Sequence, residues 1–520
     1  MCAIHKACTM HIAHAAAVRS RPHRSQEHAQ MSVPRNGVRQ GRPVVMVLAL
    51  AGVTAATMQT LVTPLLADLP RILDTTPANA TWVITVTLLV AAVCVPITGR
   101  LGDLLGKRTM LLVCSVPLVA GSVVCALSSG LAPMLVGRGL QGVGMGMVPL
   151  GVALLRDVVP VERLSSSIAL VSASMGIGGG LGLPLAAAVA QYAHWRALFW
   201  GSAALALAVA VLLWLVVPAV PPAARGQRFD LLGALGLGAG LVALLLAVSK
   251  GADWGWASAT TLGLAAGAVV VLLGWGVWEL RTRHPLIDLR TTARPRVLLT
   301  NIASLLVGFA MYASMLVVPQ LLQFPESTGF GLGQSMLAAG LWMAPGGLMM
   351  MVVSPLGGRL TDARGPKLTL VCGALVVASG YGLLQALLGT PWGLMIGLAV
   401  VSGGVGLAYG AMPALVMSAV PPGETAAANG FNTLMRSLGT SVGAAVVGVV
   451  LGQMTVTSGG VTLPSEAAFR TALLIGGALA LLSALVAATI PGRRPDPSPS
   501  PAPEAGTPHS EDATARTSVR

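Results

Sequence analysis

Charged residues are scarce in this chain. Only 10% of its 520 residues are Asp, Glu, Lys or Arg, whereas 54% are hydrophobic. Soluble domains carry about 25% charged residues, so this composition excludes an ordinary soluble globular protein.

Cysteine, histidine and nucleotide-binding motifs are also sparse. Four of the six cysteines lie inside apolar stretches, where cysteine behaves as a small hydrophobe, so no disulfide is expected; they are Cys94, Cys114, Cys125 and Cys372. The Cys and His residues near the start of the chain match no common zinc-ligand spacing. Between residues 43 and 490 the only histidines are His194 and His284, and the sequence has no Gly-Lys-Ser/Thr phosphate loop. We therefore expect no metal, no cofactor, no enzymatic centre and no ATP-driven cycle.

The chain instead contains many apolar stretches, each long enough to cross a bilayer. About twenty helical residues span the roughly 30 Å hydrocarbon core. Fourteen such stretches, numbered here as spans 1 to 14, predict an all-α integral membrane protein; they are 43–66, 79–98, 109–128, 132–155, 165–190, 197–217, 231–249, 257–278, 297–322, 333–356, 368–388, 392–418, 426–452 and 468–490.

Basic residues lie mainly on one side of this arrangement. If both ends of the chain are cytoplasmic, the connections on that side hold fifteen Lys and Arg residues and the opposite connections hold four. Lys and Arg accumulate on the cytoplasmic side, so the split supports an even number of spans. The net charge of +14 is thus mainly a topology signal, and no clustered basic face indicates nucleic-acid binding. We expect a multi-pass protein of the inner (plasma) membrane with both termini in the cytoplasm.

Two parts of the chain repeat each other. Gly99-Arg-Leu-Gly-Asp103-Leu-Leu-Gly106-Lys107-Arg108 recurs in weaker form as Gly358-Arg-Leu-Thr-Asp362-Ala-Arg-Gly365-Pro-Lys367, 259 positions later (358 − 99). Four residues in or just after span 4 recur in or just after span 12 at offsets of 261 to 264; they are Gly142, Pro149, Pro160 and Glu162. Spans 1–6 therefore match spans 9–14, which leaves spans 7 and 8 as an inserted pair. Duplicated bundles of this kind enclose a central path and rock against each other to give alternating access.

The repeat divides the chain into five expected parts. These are a basic cytoplasmic tail at 1–42 that is expected to be disordered, a six-helix bundle at 43–218, the inserted pair with its linkers at 219–296, a second six-helix bundle at 297–490, and a disordered cytoplasmic tail at 491–520.

Three motifs carry a family resemblance. Residues 99–108 after span 2 resemble the signature loop of the major facilitator superfamily. Arg138-Gly-Leu-Gln141-Gly-Val-Gly in span 4 resembles its helix-4 arginine motif, and Gly178-Gly-Gly-Leu-Gly182-Leu-Pro184 in span 5 resembles the antiporter motif of its drug exporters. With fourteen spans, the chain resembles the fourteen-helix drug:proton antiporter family of the multidrug efflux type. The resemblance implies the major facilitator fold, with two six-helix bundles plus two inserted helices.

The same resemblance implies a function. It implies export of small lipophilic compounds by alternating access, in exchange for protons. Gly178, Gly182 and Pro184 would serve close helix packing, with a kink at the proline. The chain departs from the family pattern at Leu183, which separates Gly182 from Pro184, and at Met58, where the family commonly carries an acidic residue.

The repeated loop suggests a gate. A carboxylate at Asp103 can lie against the positive end of another helix's dipole, which is worth about 0.3–1 kcal/mol when exposed and up to ~2 kcal/mol when partly buried. The resemblance points to the helix after Glu424 as the partner, so that the contact would act as a cytoplasmic latch. The alternative is a solvated loop that only sets topology. The candidate gating residues are Gly99, Asp103, Gly106, Lys107, Arg108 and Asp362.

Two arginines fall inside predicted spans. An ionisable side chain costs at least about 2.5–3.5 kcal/mol at the centre of a membrane helix, so Arg138 and Arg436 are interpreted as functional. By resemblance, Arg138 beside Gln141 would handle protons or bind substrate in a cavity, and Arg436 is assigned to the same path. The alternative for Arg138 is snorkelling to the outer interface.

Acidic residues, by contrast, are missing from the middle of every span. A cation site in a low-dielectric medium needs a nearby carboxylate. We therefore expect neutral, anionic or zwitterionic lipophilic substrates rather than multivalent cations. Asp103 and Asp68 remain as acidic candidates for proton coupling.

The substrate cavity is expected to be mostly apolar, with scattered polar and aromatic groups. Each such side chain, taken alone, is more often a helix–helix hydrogen bond or an interfacial anchor. The candidates on path-lining spans are Thr57, Gln59, Thr60, Asn301, Tyr312, Trp342, Tyr409 and Asn432.

Other interpretations stay open. The sequence does not separate multidrug export from export of one endogenous metabolite, such as a self-made antibiotic. A membrane-embedded enzyme would need a catalytic cluster at membrane depth, and a non-transporting sensor would need a signalling domain; neither is visible. The expected partners are a small lipophilic substrate, protons as the coupling ion and membrane lipid, and the chain is expected to act as a monomer.

Overall fold

The computed structural model describes residues 37–491 except for Thr63, Pro64, Leu66, Ala67, Arg225, Gly459 and Gly460. The tails at 1–42 and 491–520, expected to be disordered, lie almost wholly outside the described residues. The first helix begins at Gly37, within the predicted tail.

Helices dominate the described part of the chain, and fourteen helical segments in it are long and apolar enough to cross a membrane. The predicted number of spans is therefore confirmed. The helices are α1 (Gly37–Thr60), α2 (Leu69–Ile72), α3 (Pro77–Ala80), α4 (Trp82–Leu105), α5 (Lys107–Leu127), α6 (Leu131–Gly144), α7 (Met147–Val158), α8 (Val161–Tyr192), α9 (Arg196–Val216), α10 (Leu231–Trp254), α11 (Ala259–Arg281), α12 (Leu289–Thr292), α13 (Pro295–Gln323), α14 (Met336–Arg364), α15 (Pro366–Ala386), α16 (Pro391–Met417), α17 (Thr425–Gln453) and α18 (Glu466–Ala488).

A short hairpin interrupts this helical pattern. Strands β1 (Thr455–Ser458) and β2 (Val461–Pro464) pair antiparallel, with Thr455 opposite Pro464. The hairpin joins α17 to α18 and was not predicted.

Glycines decide where two of the helices end. Gly106 has a φ of 99° and Gly365 a φ of 87°, a backbone region that glycine adopts without steric cost. Each glycine is the single residue between two helices, α4 and α5 in the first case and α14 and α15 in the second. The repeated motifs are therefore mostly helical: α4 continues to Leu105, beyond the predicted end of span 2 at residue 98. The end of the molecule at which these two turns lie, one in each bundle, is called the basic-loop end below.

Each six-helix bundle has its own apolar core. One core uses only side chains from residues 303–490, and two others fill the first bundle at different depths. Met417 and Ala426 of the second bundle join a core of the first bundle. This shared packing lies at the basic-loop end, because α16 ends at Met417 and α17 begins at Thr425.

Small residues let the bundles approach each other along α8 and α14. A Cβ built on Gly358 would stand 2.9 Å from the Cα of Ser166, and one on Gly340 would stand 3.3 Å from the Cα of Pro184. The two helices are therefore antiparallel and in contact over most of their length. Helices α4 and α17 form the second such pair, where a Cβ on Gly430 would stand 3.0 Å from the carbonyl oxygen of Val95.

The inserted pair lies against the seam between the bundles. An apolar cluster joins Leu237 and Leu241 of α10 to Ala92 of α4 and Leu434 of α17. At the opposite end from the basic loops, the buried Lys250 Nζ lies 3.0 Å from the Asp253 carboxylate and donates a hydrogen bond to the Thr81 hydroxyl at 2.7 Å. Through the apolar cluster helix α10 thus contacts both bundles, and Lys250 adds a polar contact at its far end.

Candidate functional site

The Asp103 carboxylate joins the two bundles. Both of its oxygens accept from the backbone N–H of Ala426 at 3.1 Å, and Oδ2 also accepts from Ala427 at 2.9 Å. The first N–H groups of a helix have no partner within the helix and carry the positive end of its dipole. Asp103 is only 1% exposed and belongs to α4, whereas the N–H groups belong to the first turn of α17. The contact therefore stabilises the arrangement in which the bundles meet at the basic-loop end.

Gly99 contributes to this contact by its small size. A Cβ on Gly99 would stand 2.6 Å from the Ala426 carbonyl oxygen, which is closer than van der Waals packing allows. Gly99 lies within helix α4, so the turn between α4 and α5 is formed by Gly106.

Lys107 and Arg108 act within the first bundle. The buried Lys107 Nζ lies 2.6 Å from an oxygen of the Asp157 carboxylate, and Arg108 donates to the Trp214 carbonyl at 2.7 Å. These two gating candidates hold α5 to α7 and α9 rather than one bundle to the other.

The second copy of the motif does not form the equivalent contact. Asp362 is exposed and has no hydrogen-bond or ion-pair partner among the described residues. Its helix still packs closely on the opposite bundle through Gly358. The carboxylate contact between bundles is thus one-sided in this structure.

Two residues that the sequence analysis did not single out also cross between the bundles. Arg156 donates to the Thr425 hydroxyl at 3.1 Å and lies 3.4 Å from the Val420 carbonyl oxygen. Ser172 donates to the Tyr409 carbonyl at 3.2 Å. Arg156 is one of the fifteen basic residues in the cytoplasmic connections. Its place at the end of span 4, which matches the end of span 12 in the repeat, is the sequence signal that could have pointed to this contact.

A central pocket lies between the bundles, farther from the basic-loop end than the contacts of Asp103 and Arg156. Together with adjoining space that is open to solvent, it contains about 330 Å³ free of protein atoms, and it is bounded by helices α7, α8, α16 and α17, two from each bundle. The residues that line it are Val148, Pro149, Val152, Ser172, Met175, Tyr409, Pro413, Asn429, Asn432, Thr433 and Arg436.

Arg436 is the charged group of this pocket. It lies eleven residues beyond Thr425 (436 − 425), about 16 Å along the helix at 1.5 Å per residue and close to the middle of the candidate membrane span Pro422–Gln453. Its guanidinium carbon is 4.3 Å from the centre of the Tyr409 ring, a cation–π arrangement. Its side chain has no hydrogen-bond or ion-pair partner among the described residues, and no acidic residue is part of the lining. The pocket therefore presents uncompensated positive charge.

Arg138 does not lie in this pocket, contrary to expectation. It is 1% exposed and donates to the carbonyls of Val83 at 3.1 Å and Met58 at 3.0 Å, and to the Gln141 side chain at 2.6 Å. Gln141 in turn donates to the Ser122 hydroxyl at 2.9 Å. These acceptors all belong to the first bundle, so Arg138 joins its helices instead of snorkelling or facing a cavity.

Two of the cavity candidates, Tyr409 and Asn432, line the central pocket. The Tyr409 hydroxyl lies 3.0 Å from the Met311 sulfur. Asn432 donates to the Asn301 side chain at 2.9 Å and to the Ser304 hydroxyl at 2.7 Å. Asn301 itself lines a second cavity at the basic-loop end.

The candidates on α1 lie outside the pocket. Thr57 donates to the Gly178 carbonyl at 3.3 Å, and Thr60 donates to the Thr57 carbonyl at 3.1 Å. Gln59 is exposed, with its amide 3.7 Å from the Met145 sulfur. These polar groups serve contacts within the first bundle.

Trp342 and Tyr312 also fall outside the central lining. Trp342 donates to the Gln334 side chain at 3.2 Å and meets Trp392 edge-to-face with ring centres 4.7 Å apart, near the starts of α14 and α16. Tyr312 is half-buried in α13 and lines neither of the two cavities described.

The span-5 glycines pack α8 against α1. A Cβ on Gly178 would collide with the Val53 carbonyl and would stand 2.8 Å from the Ala56 Cβ, and one on Gly182 would collide with the Thr60 hydroxyl. Pro184, on the same helix, faces Gly340 of the second bundle. The motif thus fixes α8 between its own bundle and the opposite one.

Comparisons with known proteins agree with this architecture. Residues 48–444 match the sequence model of the Major Facilitator Superfamily. An uncharacterized MFS-type transporter of Mycobacterium tuberculosis (strain H37Rv) is 31% identical over 441 residues, which are 82% of this chain and 62% of the relative, so this chain spans less than two thirds of that protein. A protein of the same strain named as a multidrug resistance protein B homolog is 28% identical over 388 residues, 72% of this chain and 70% of the relative. The crystal structure of the human organic anion transporter MFSD10 (TETRAN) superimposes with a TM-score of 0.63 at 19% identity, over 86% of this chain and 99% of that one, and shows a shared fold.

Proposed function

Because this chain belongs to the major facilitator superfamily of membrane transporters, we propose that it is a secondary-active exporter of lipophilic neutral or anionic compounds. The observation that carries the substrate preference is Arg436, an unpaired guanidinium close to the middle of its candidate membrane span, in a pocket that both bundles share. Relatives named as multidrug resistance proteins support the efflux direction.

The proposed orientation has the basic-loop end in the cytoplasm. Lys and Arg residues concentrate in the connections at that end, and such residues are retained on the cytoplasmic side. In this orientation the contacts of Asp103 and Arg156 close the cytoplasmic side of the central pocket. Alternating access then requires these contacts to break.

Substrate recognition follows from the pocket lining. Val148, Val152 and Met175 offer apolar surface, which favours a lipophilic body. The Arg436 guanidinium offers N–H donors that would pair with a carboxylate or another electron-rich group of the substrate. A multivalent cation would meet this positive charge without any carboxylate to balance it.

Exchange for protons is proposed to act through Asp103. Among the described acidic residues three are buried, namely Asp103, Asp230 and Glu279, and of these Asp103 is the one that bonds the opposite six-helix bundle. Protonation would remove its negative charge and weaken its interaction with the start of α17. A proton that enters this site would therefore favour opening of the cytoplasmic side.

The experiment compares dyes of different charge in proteoliposomes with an imposed pH gradient. We expect transport of a carboxylated aromatic dye and of its neutral amide, and little transport of a dicationic dye. Arg436→Gln should raise the KM for the carboxylated dye about tenfold or more, because hydrogen bonds to charged groups contribute about 1.5–3 kcal/mol. The neutral amide should be affected much less, and Arg436→Lys should retain part of the preference for the acid.

The matched control is Arg359→Gln, which removes an exposed arginine at the basic-loop end. It should leave both KM values near wild type. Robust export of the dicationic dye without export of either other dye, or equal effects of Arg436→Gln on acid and amide, would contradict the proposed substrate class.

A further inference from the structure

A second cavity lies at the basic-loop end, away from the central pocket. Together with adjoining space that is open to solvent, it contains about 640 Å³ free of protein atoms. Its wall includes the end of α4, the linker between α11 and α13, and the first turns of α13 and α17. Both six-helix bundles and the linkers that flank the inserted pair therefore contribute to one wall. Nothing in the proposed transport cycle uses this cavity.

Two buried side chains in the wall keep unused hydrogen-bond donors. Arg100 is 3% exposed and donates from Nη2 to the Gln227 side chain at 2.6 Å, but its buried Nε–H has no partner among the described residues. Asn301 is also 3% exposed; its oxygen accepts from Asn432, while its own Nδ2 has no partner in the same set. A buried donor without an acceptor costs free energy, so a ligand that offers an acceptor to these groups would bind favourably.

Other potential hydrogen-bond donors surround the cavity. Arg283 and His284 also line it, and the structure gives neither a hydrogen-bond or ion-pair partner among the described residues. Of the two acidic residues in the lining, Asp288 already accepts from the Arg290 N–H and the Thr291 hydroxyl at 2.9 Å each. Glu424 is half-buried and interacts electrostatically with Arg100, so an anion bound here would compete with this carboxylate. The wall therefore suits a ligand that brings negatively charged oxygen atoms.

We propose that this cavity binds a small oxyanion, a carboxylate or phosphate group, through Arg100, Asn301 and Arg283. The site is separate from the substrate pocket, although the Asn301–Asn432 hydrogen bond connects the walls of the two cavities.

Occupancy of the site is linked to closure of the basic-loop end. Ala427 lines the cavity and also donates its N–H to Asp103. Arg100 precedes Asp103 by less than one helical turn of the first bundle, whereas Asn301 belongs to the second. An anion held by both residues binds the closed arrangement more tightly than the open one, so binding and closure favour each other.

The first experiment measures anion binding to the purified full chain in detergent. Inorganic phosphate and citrate are titrated by calorimetry and by thermal unfolding. We expect saturable binding, and we expect Arg100→Gln to raise the Kd about tenfold, since it removes a charge-assisted donor. Asn301→Asp should weaken binding at least as strongly, because it keeps the acceptor for Asn432 and replaces the unused donor with negative charge. Arg100→Lys, which retains the charge, should bind more tightly than Arg100→Gln.

Two controls separate this proposal from loss of folding and from the transport function. Arg359→Gln removes the repeat-related, exposed arginine (100 + 259) and should leave the Kd within twofold of wild type. Arg436→Gln should impair dye transport but leave anion binding unchanged. The two proposals can therefore fail independently of each other.

The source of the oxyanion is tested by changing the lipid. If soluble anions do not bind in detergent, the protein is moved to nanodiscs of phosphatidylcholine with or without phosphatidylglycerol. Stabilisation by phosphatidylglycerol that Arg100→Gln abolishes would assign the site to a lipid phosphate. Absence of binding in both settings, or binding that Arg100→Gln and Asn301→Asp leave intact, would overturn the proposal.

Discussion

Replacement of Asp103 by Asn tests how strongly one carboxylate holds the bundles together. The amide keeps the shape and one acceptor oxygen but loses the charge, and its NH2 group faces the N–H groups of Ala426 and Ala427. Hydrogen bonds to charged groups contribute about 1.5–3 kcal/mol, and a partly buried charge at a helix start contributes up to ~2 kcal/mol. These terms describe the same contact, so we take about 2 kcal/mol as the expected loss in the closed arrangement.

This loss has a measurable effect on the conformational equilibrium. Since 1.4 kcal/mol corresponds to a factor of ten, the ratio of open to closed molecules should rise about thirtyfold. An arrangement that is populated to about 1% in the wild type would then reach about 20%. Spin labels at the exposed residues Leu105 and Arg364, one in each bundle, would report the change as a new population at longer distance. The labels require a background in which the six native cysteines are replaced.

The chain provides its own control for this measurement. Asp362 is the repeat-related carboxylate, but it is exposed and unpartnered among the described residues. Asp362→Asn should therefore leave the distance distribution unchanged. An unchanged distribution in Asp103→Asn, or an equal shift in both variants, would refute the assignment of closure to Asp103.

Two further predictions concern packing within the first bundle. Arg138→Gln should lower the thermal unfolding midpoint in detergent, because the Met58 carbonyl and the Gln141 side-chain oxygen lose the Arg138 donor, and each buried acceptor left unsatisfied costs about 1–3 kcal/mol. A wild-type midpoint together with altered substrate selectivity would instead support a role for Arg138 in the transport path. Gly178→Val should also lower the midpoint, by overpacking worth about 1–3 kcal/mol against α1, whereas Gly179→Val, where an added Cβ meets open space, should not. Equal midpoints for the two valine variants would show that α8 and α1 can separate without cost.

The number of spans could be predicted from the sequence because bilayer thickness fixes the length of an apolar helix. The ends of the helices were less predictable. A hydropathy pattern stops at the first charged residue, but helix α4 continues past Arg100 and Asp103 to Gly106, where a positive φ ends it. The Asp103 carboxylate, which the sequence predicts in a loop, is therefore held rigidly by a helix, and this suits a directed contact with α17.

The candidate site was predictable in part. Tyr409, Asn432 and Arg436 line the central pocket, whereas Arg138 and Trp342 do not. Sequence position gives the depth of a side chain but not the direction in which its helix face points. The partners of Arg138 are mostly backbone carbonyls, which every residue possesses, so no residue pattern could have revealed them.

Helix α10 introduces a mechanical constraint on any movement of this transporter. Its apolar side touches α4 of one bundle and α17 of the other, so it cannot follow both when they tilt apart. Lys250 fastens its far end to Thr81 beside α4, whereas its contacts with α17 come from apolar side chains such as Leu434. The inserted pair should therefore move together with the amino-terminal bundle, while α17 slides along the apolar side of α10. That apolar side would then be the surface along which the two bundles move relative to each other.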